Sequence, residues 1–403
     1  MNEWKKVKLK DCCHSISDGD HLPPPKSDSG VPFVTIANID ATNHIDFGNT
    51  MFVPYEYYNN LNDIRKAKFN DILYSVVGSF GKPVLIKENK PFAFQRHIAI
   101  LRPSNEIVDS RFLYYVMLSR DFYMQADTVA IGAAQRTISL TALRNMEVEL
   151  PSMEIQHRIA TILSRYDSLI ENYQKQIKLL EEAAQRLYKE WFVDLHFPGH
   201  ENTKIVDGVP EGWEKKKVKE VCDTTSGGTP SRSKTEFYTG DILWVKTKEL
   251  NDDFIFDTEE KITENAIRNS SAKMVPSGSI LMAMYGATIG KLGIATKELS
   301  CNQACCVFLL PEDSTLRLYL YNWLLNSRTL LISMGKGAAQ PNLSQDMIKN
   351  LEVVVPSSCL LAKFDSKVKP LYRIMSYHSF QLRLLTEARD RLLPKLMSGA
   401  IEV

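Results

Sequence analysis

The stretch GATIGKL (286–292) comes nearest to a phosphate cradle, since glycines beside a lysine offer backbone N–H groups and a cation to an anion. It fails on spacing. One residue is missing between the glycines, and Leu292 stands where a metal-binding Ser or Thr is required. Its first-half counterpart, GSFGKP (78–83), is shorter still, and GKGAAQ (335–340) lacks the glycine spacing of a dinucleotide fingerprint. HLPPPK (21–26) has neither the preceding Asn or Asp nor the following aromatic of an amino-methyltransferase loop. DTEEK (257–261) holds an isolated Glu-x-Lys, which reads as a solvated turn. No His-Glu-x-x-His and no Gly-x-Ser-x-Gly occurs. The seven cysteines include no Cys-x-x-Cys, and CNQACCVFLL (301–310) reads as small apolar residues in a strand. The chemistry-bearing residues therefore point to a chain that binds and does not catalyse.

Composition narrows the class. The chain has 403 residues, enough for two ordinary domains, with 44% hydrophobic and 24% charged residues. A net charge of +1 argues against coating nucleic acid by bulk positive charge and leaves room for local basic patches. The N-terminus lacks the apolar core of a secretory signal, and no apolar run is long enough for a membrane span. Reduced thiols in a cytoplasmic protein are the expectation.

The elements that position these residues come as a repeat. GAAQRTISLTALRNMEVELP (132–151) returns as GAAQPNLSQDMIKNLEVVVP (337–356). Trp4 in EWKKVKLKDCC matches Trp213 in GWEKKKVKEVC. DILYSVVGSFGK (71–82) matches SILMAMYGATIGK (279–291), and FQRHIAILRP (94–103) matches NQACCVFLLP (302–311). RFLYYVMLSR (111–120) matches RLYLYNWLLNSR (317–328). Short β-favouring runs and short amphipathic helices make each half an α+β globule, and a long helical pattern closes each. The segment 193–212 is punctuated by Pro and Gly and reads as a connector.

In the first long pattern, apolar residues step by four and three through Ile155, Ile159, Ile162, Tyr166, Leu169, Tyr173, Ile177, Leu180, Ala184, Leu187 and Trp191. The second runs through Leu361, Phe364, Val368, Leu371, Met375, His378, Leu382, Leu385, Ala388, Leu392 and Leu396. These are coiled-coil seams. His378 takes the slot of Tyr173 and reads as a seam histidine satisfied by a neighbour. Pro370 should kink the second helix or mark a break, and Pro394, near its end, is a candidate terminator. A helix of about 38 residues is about 57 Å long, too long to bury its stripe on its own globule. Pairing the two, antiparallel, gives pseudo-two-fold symmetry with a globule at each end of a rod. B-DNA, whose half-sites repeat at a fixed spacing, suits that geometry.

With these features the chain resembles the specificity subunits of type I restriction–modification systems over nearly its whole length. The resemblance rests on the Trp-led opening of each half, the GAAQ-to-LP junction, LYKEWF (187–192) with FPG (197–199), GVPEGW (208–213) and the tail RLLPKLMSGAIEV (391–403). It implies an α+β fold with target-recognition domains at 1–151 and 213–356. Spacer helices would lie at 152–192 and 357–397, a linker at 193–212 and a tail at 398–403. It implies a subunit that reads bipartite double-stranded DNA, docks two methyltransferase subunits and, through them, restriction/translocase subunits. It implies no cofactor of its own; S-adenosylmethionine, ATP and Mg would bind the partners.

Bases are read by side chains able to make paired hydrogen bonds, Arg or Lys to guanine and Asn or Gln to adenine. Candidates in short polar stretches beside strands are Ser79, Lys82, Gln95, Arg96, His97, Gln135 and Arg136 in the first half. In the second they are Lys246, Lys248, Lys291, Asn302, Gln303, Lys336, Gln340 and Asn342. Gly78, Gly81, Gly286 and Gly290 would let backbone approach phosphate, or form tight turns. Gln135 and Gln340 are shared by both halves, so they suit loop support or phosphate more than base reading. Matched positions that differ, His97 against Cys305 and Arg136 against Pro341, suit specificity better. The aromatics of VPYEYYNN (53–60) could stack on bases, but read chiefly as packed or covering a loop. The alternative is a duplicated coiled-coil adaptor that binds no DNA.

Overall fold

The structure is a computed structural model that describes residues 4–335 and 342–403, apart from Leu22, Ala41, Ala134 and Glu312. The chain divides into two compact units, residues 1–170 with 385–403, and residues 171–384.

In the first unit β1 (Lys5–Lys8) leads through α1 (Leu9–Cys12) to β2 (Cys13–Asp18). Next come β3 (Val31–Val34), β4 (Met51–Val53), α2 (Tyr55–Asn60), β5 (Ile72–Ser75), β6 (Pro83–Leu85), β7 (Ala93–Phe94) and β8 (Ile98–Pro103). Helices α3 (Ser110–Leu118), α4 (Arg120–Val129) and α5 (Leu140–Asn145) precede β9 (Glu147–Leu150), and α6 (Met153–Tyr188) begins in this unit. The strands form an antiparallel sheet β2-β8-β5-β6, a sheet β4-β3-β7 with β3 and β7 parallel, and the pair β1-β9. β5 is buried on both faces, which suits its apolar ILYS sequence to a central strand. Asp109 caps α3 by accepting from the N–H groups of Arg111 and Phe112, and Ser119 caps α4. The core gathers Ile72, Tyr74, Leu101, Phe112 and Leu113 with Ile159, Ala160 and Leu163 of α6 and Leu396 near the C-terminus.

After α6 the second unit continues through a π turn at Lys189–Val193 and the hairpin β10 (Ile205–Val206) and β11 (Val209–Pro210). The same order of elements then returns: β12 (Glu214–Lys217), α7 (Val218–Val221), β13 (Asp223–Ser226), β14 (Ile242–Val245) and β15 (Asp253–Ile255). These are followed by β16 (Lys261–Ile262), α8 (Glu264–Arg268), β17 (Ile280–Ala283), β18 (Leu292–Ala295), β19 (Ser300–Cys301) and β20 (Cys305–Leu309). Helices α9 (Leu316–Asn326), α10 (Arg328–Met334) and α11 (Gln345–Lys349), strand β21 (Glu352–Val355) and α12 (Ser358–Met397) complete the chain. The sheets are β13-β20-β17-β18-β15, β16-β14-β19 and β12-β21, so the repeat recurs with β15 added at one edge. The mixed architecture and the internal duplication expected from the sequence are present.

Two details of the long helices differ from the sequence reading. α12 runs without a break across Pro370, so the break allowed there is absent, and it ends at Met397, three residues beyond Pro394. Pro370 leaves the Ser366 carbonyl without its helical donor, but Val368, Tyr372 and Met375 are buried around it, and that packing holds the helix together. In α6 the expected seam residue Leu169 is 45% exposed, whereas its neighbour Ile170 is buried. The buried stripe runs Ile159, Ala160, Leu163, Ile170, Ala184, Tyr188, Trp191. A straight helix drifts relative to a strict heptad, which moves the stripe by one position here.

Seam contacts lie within each unit. In the first, Arg389 pairs with Asp167 at 3.0 Å, and Asp167 also accepts from the Tyr115 hydroxyl at 2.5 Å. Tyr166 and Leu385 are half-buried, and Leu392 packs on the core. In the second, the His378 ring lies 4.7 Å from the Tyr173 ring, and its Nδ1 has no hydrogen-bond partner among the described residues. Phe364 packs among Tyr188, Trp191 and Phe192, and Leu180, Leu187 and Leu371 flank that cluster.

Glu181, on α6 in the second unit, gives a pH dependence. Burial, and then the charges of Asp253 and Asp252, push its carboxyl up to about 7 from an ordinary 4.5. Between those values the folded chain keeps a proton that the unfolded chain has lost, so stability falls as pH rises and stays low above about 7. Glu181→Gln should raise the thermal midpoint at pH 8 and leave it near the parent's at pH 4.5. Equal shifts at both pH values would contradict that assignment.

Candidate nucleic-acid interface

The end of β5 organises the first-half candidates. Beyond Ser75 the strand gives way to a loop at Val76–Gly81 before β6, and Ser79 is exposed there. The Ser75 hydroxyl donates to the Ser79 carbonyl at 2.9 Å and accepts from the Lys82 N–H at 2.9 Å, closing the loop. On one side the Val76 N–H reaches the His97 carbonyl at 2.9 Å, joining it to the β7–β8 turn. That turn is tight, with the Ile98 N–H on the Gln95 carbonyl at 3.0 Å, and Arg96 at its tip is exposed. On the other side Val77 bridges Thr137, and the Gly78 N–H donates to the Arg136 carbonyl at 2.9 Å. Ser79, Lys82, Gln95, Arg96, His97, Gln135 and Arg136 therefore meet at one end of the main sheet.

Arg136 is engaged within the fold. Its guanidinium bonds the Asp127 carboxylate and carbonyl and lies 5.3 Å from the Phe80 ring, which stacks on Tyr123. Gly78 and Gly81 have φ of 68° and 90°, and Gly286 and Gly290 have 74° and 75°, so all four sit in left-handed turn positions.

The second unit builds the same end from β17. The Met284 N–H donates to the Ala304 carbonyl at 2.9 Å, as Val76 does to His97. Tyr285 bridges Asn342, as Val77 bridges Thr137. Asn302 and Gln303 lie in the β19–β20 turn, and Gln303 is exposed. The Asn302 carboxamide oxygen accepts from the Ala304 N–H at 3.2 Å and from the Cys305 thiol at 3.4 Å.

Three lysines are tied up in ion pairs. Lys246 and Lys248 both reach Glu259, at 2.8 and 2.5 Å, and these contacts hold the Glu259 carboxyl down at about 2. Lys291 pairs with Asp252 at 2.6 Å, beside Arg328 on the same carboxylate. These cations steady β14, the DTEEK turn and the β17–β18 hairpin. Lys336 and Gln340 lie outside the described residues, as does Pro341, so the Arg136–Pro341 comparison does too.

Backbone bonding corrects one sequence equivalence. Gln95 N–H donates to Val34 O at 3.1 Å, and Asn302 N–H donates to Val245 O at 2.9 Å. Ser75 is paired with Ile98, and Ala283 with Cys305. Gln95 therefore matches Asn302, Arg96 matches Gln303, and His97 matches Ala304, not Cys305. Matching Gln95 to Gln303 by letter slips the register by one residue. In the corrected register one backbone turn presents Gln-Arg-His in the first unit and Asn-Gln-Ala in the second. All but the alanine can read a base edge.

Sequence reasoning missed the glycines that seat these turns. A Cβ on Gly19 would fall 2.1 Å from the Phe94 carbonyl oxygen, and one on Gly227 would fall 1.9 Å from that of Cys301. Only glycine admits such an approach. SDGDH (17–21) and TSGGT (225–229) carried the signal, a glycine just after a strand.

All seven cysteines are free, burial pushes the Cys306 thiol up to about 12, and no three metal-ligating side chains cluster among the described residues. No helix among them is long and apolar enough to cross a membrane.

Comparison with known proteins decides the family. The family described as "Type I restriction modification DNA specificity domain" matches residues 1–182 and again 210–358. The chain belongs to that family. The MjaIX specificity subunit of Methanocaldococcus jannaschii is 28% identical over 310 residues, covering 75% of this chain and 71% of the relative. The HindI specificity subunit of Haemophilus influenzae is 24% identical over the full length of both chains. A crystal structure of the S subunit of a type I system from M. genitalium shares the fold, with a TM-score of 0.66 at 18% identity over 98% of this chain and 96% of that one. This type I specificity chain thus carries the family domain twice, which accounts for the duplicated elements.

Proposed function

We propose that this chain is the non-catalytic DNA-recognition subunit of a type I restriction–modification enzyme, with each half reading one half of a bipartite site. The observation that carries this is the shared turn. One hydrogen-bonded frame, built twice, displays Gln95 and Arg96 in one copy and Asn302 and Gln303 in the other. A frame common to both halves suits the common shape of duplex DNA, and side chains that differ suit two different half-sites. The membership of the family disfavours the adaptor reading.

The recognition domains are 1–151 and 213–356, the linker is 193–212, and the tail is 398–403. The spacer helices, 152–192 and 357–397, pair antiparallel as a coiled coil and relate the domains by a pseudo-two-fold axis. Support comes from the order of contacts within the units. Partners descend along α12 as they ascend along α6, from Asp167 with Arg389 through Tyr173 with His378 to Trp191 with Phe364. The rod sets the gap between half-sites and docks two methyltransferase subunits. Restriction/translocase subunits join through them, and S-adenosylmethionine, ATP and Mg bind on those partners, in the cytoplasm.

The test is to map methylated sites in a host carrying this chain with its modification partner. The expected result is one motif of two specific halves separated by a constant gap. A contiguous motif would count against the reading.

A further inference from the structure

The two units fasten their matched turns by different chemistry. In the first, Asp20 grips the turn from both sides of its own peptide. Its N–H donates to Phe94 O at 3.2 Å, and its carbonyl accepts from the Arg96 N–H at 3.1 Å. Its carboxylate is held in turn, accepting from the Tyr57 hydroxyl at 2.5 Å and lying 3.5 Å from Arg65. Arg65 also reaches Asp18, on which His21 sits at 2.9 Å. Burial first, and then the bond to Asp20, raise the Tyr57 hydroxyl well above its usual range, so it stays a donor at physiological pH.

In the second unit the matching residue is Gly228, whose N–H donates to Cys301 O at 2.9 Å. An added Cβ there would lie 2.3 Å from Ser271, so no carboxylate can stand in that place. Gly228 is fixed instead through its carbonyl, which accepts from the buried Trp244 indole N–H at 3.0 Å. The next residue, Thr229, donates its hydroxyl to the Gln303 side chain.

We infer that Asp20, anchored by Tyr57, is the positioning residue that aims the Gln95–His97 turn, and that it governs the first half-site alone. Neither residue needs to touch a base. Asp20 sets where the Arg96 backbone lies, and α2, which carries Tyr57, sets where Asp20 lies. A base-reading side chain displaced by a fraction of an ångström loses the paired geometry on which discrimination depends. The inference rests on the proposed reading that this turn meets DNA.

The experiment uses the full chain co-expressed with its modification partner and maps methylated sites for Tyr57→Phe, Asp20→Ala, Asp20→Asn and Gln95→Ala. Tyr57→Phe and Asp20→Ala should each relax base preference in one half-site by roughly tenfold, the scale of one hydrogen bond to a charged group. The other half-site and the gap should stay as in the parent. Asp20→Asn keeps an oxygen for the Tyr57 hydroxyl but not the charge facing Arg65, so it should relax preference less than Asp20→Ala does. A general loss of folding would relax both half-sites together, and that result would overturn the inference. It would also be overturned if Gln95→Ala altered one half-site while Tyr57→Phe and Asp20→Ala left the motif intact. If none of these substitutions altered the motif, the turn would not be a reader, and the positioning role would fall with it.

Discussion

Replacing Gln95 and Arg96 together with alanine will erase discrimination at one half of the recognised site and leave the other half intact. Both side chains sit on the turn that the Val76 and Ile98 backbone bonds close, so truncation removes their polar groups without removing the frame. A good bidentate contact to a base is worth about 1–3 kcal/mol of discrimination, roughly 5-fold to 150-fold per base. Losing two such contacts at one end of the site should be the largest effect on recognition that any pair of substitutions in the first half produces. The matched pair, Asn302→Ala with Gln303→Ala, supplies the control at the opposite half-site. Methylation mapping reads both, and a double variant that altered both half-sites alike would contradict independent reading.

The second large effect concerns the seam. Phe364→Ala should destabilise the second unit by about 3–5 kcal/mol, the range for emptying a buried aromatic site. Phe364 is fully buried, with ring centroids 4.9 Å from Phe192, 6.0 Å from Trp191 and 6.3 Å from Tyr188. Those rings come from the end of α6 and its π turn, and they cannot collapse into the void without unwinding that turn. Denaturant unfolding should show the midpoint of the second unit falling, with little change in the first. Phe364→Leu, which refills most of the volume, should recover much of the loss. Equal stability of the alanine variant and the parent would mean that α6 and α12 do not depend on each other here.

Much of the architecture was legible in the residues, for identifiable reasons. Long-range periodicity announced α6 and α12, because an apolar stripe sustained over about ten turns fits a long packed helix and little else. Duplication announced that whatever one half does, the other does too. The details that escaped depend on tertiary context. β15 is a short strand recruited by parallel pairing to β18, and Asp253–Ile255 has no pattern to announce it. The one-residue slip between Gln95 and Gln303 arises because identical letters mark composition, whereas hydrogen bonds to Val34 and Val245 mark position. Pro370 obeys the rule that it forfeits a backbone bond, but buried neighbours outweigh the loss.

The candidate interface was partly legible for the same reason. Polar residues flanking strands in both halves drew attention to the loops around β5 and β17. Charge type alone could not separate Arg96, exposed on its turn, from Arg136, Lys246 and Lys291, whose charges are met by Asp127, Glu259 and Asp252. Nor could it show Asp20 and Gly228 as matched positions with unlike chemistry.

Two readers built on one frame, each blind to the other's bases, should be exchangeable one at a time. Residues 1–150 can be replaced by the equivalent segment of another family member, and methylated sites mapped in the resulting complex. One half-site should change to the donor's while the other half and the gap persist. If both halves changed at once, the readers would not be independent.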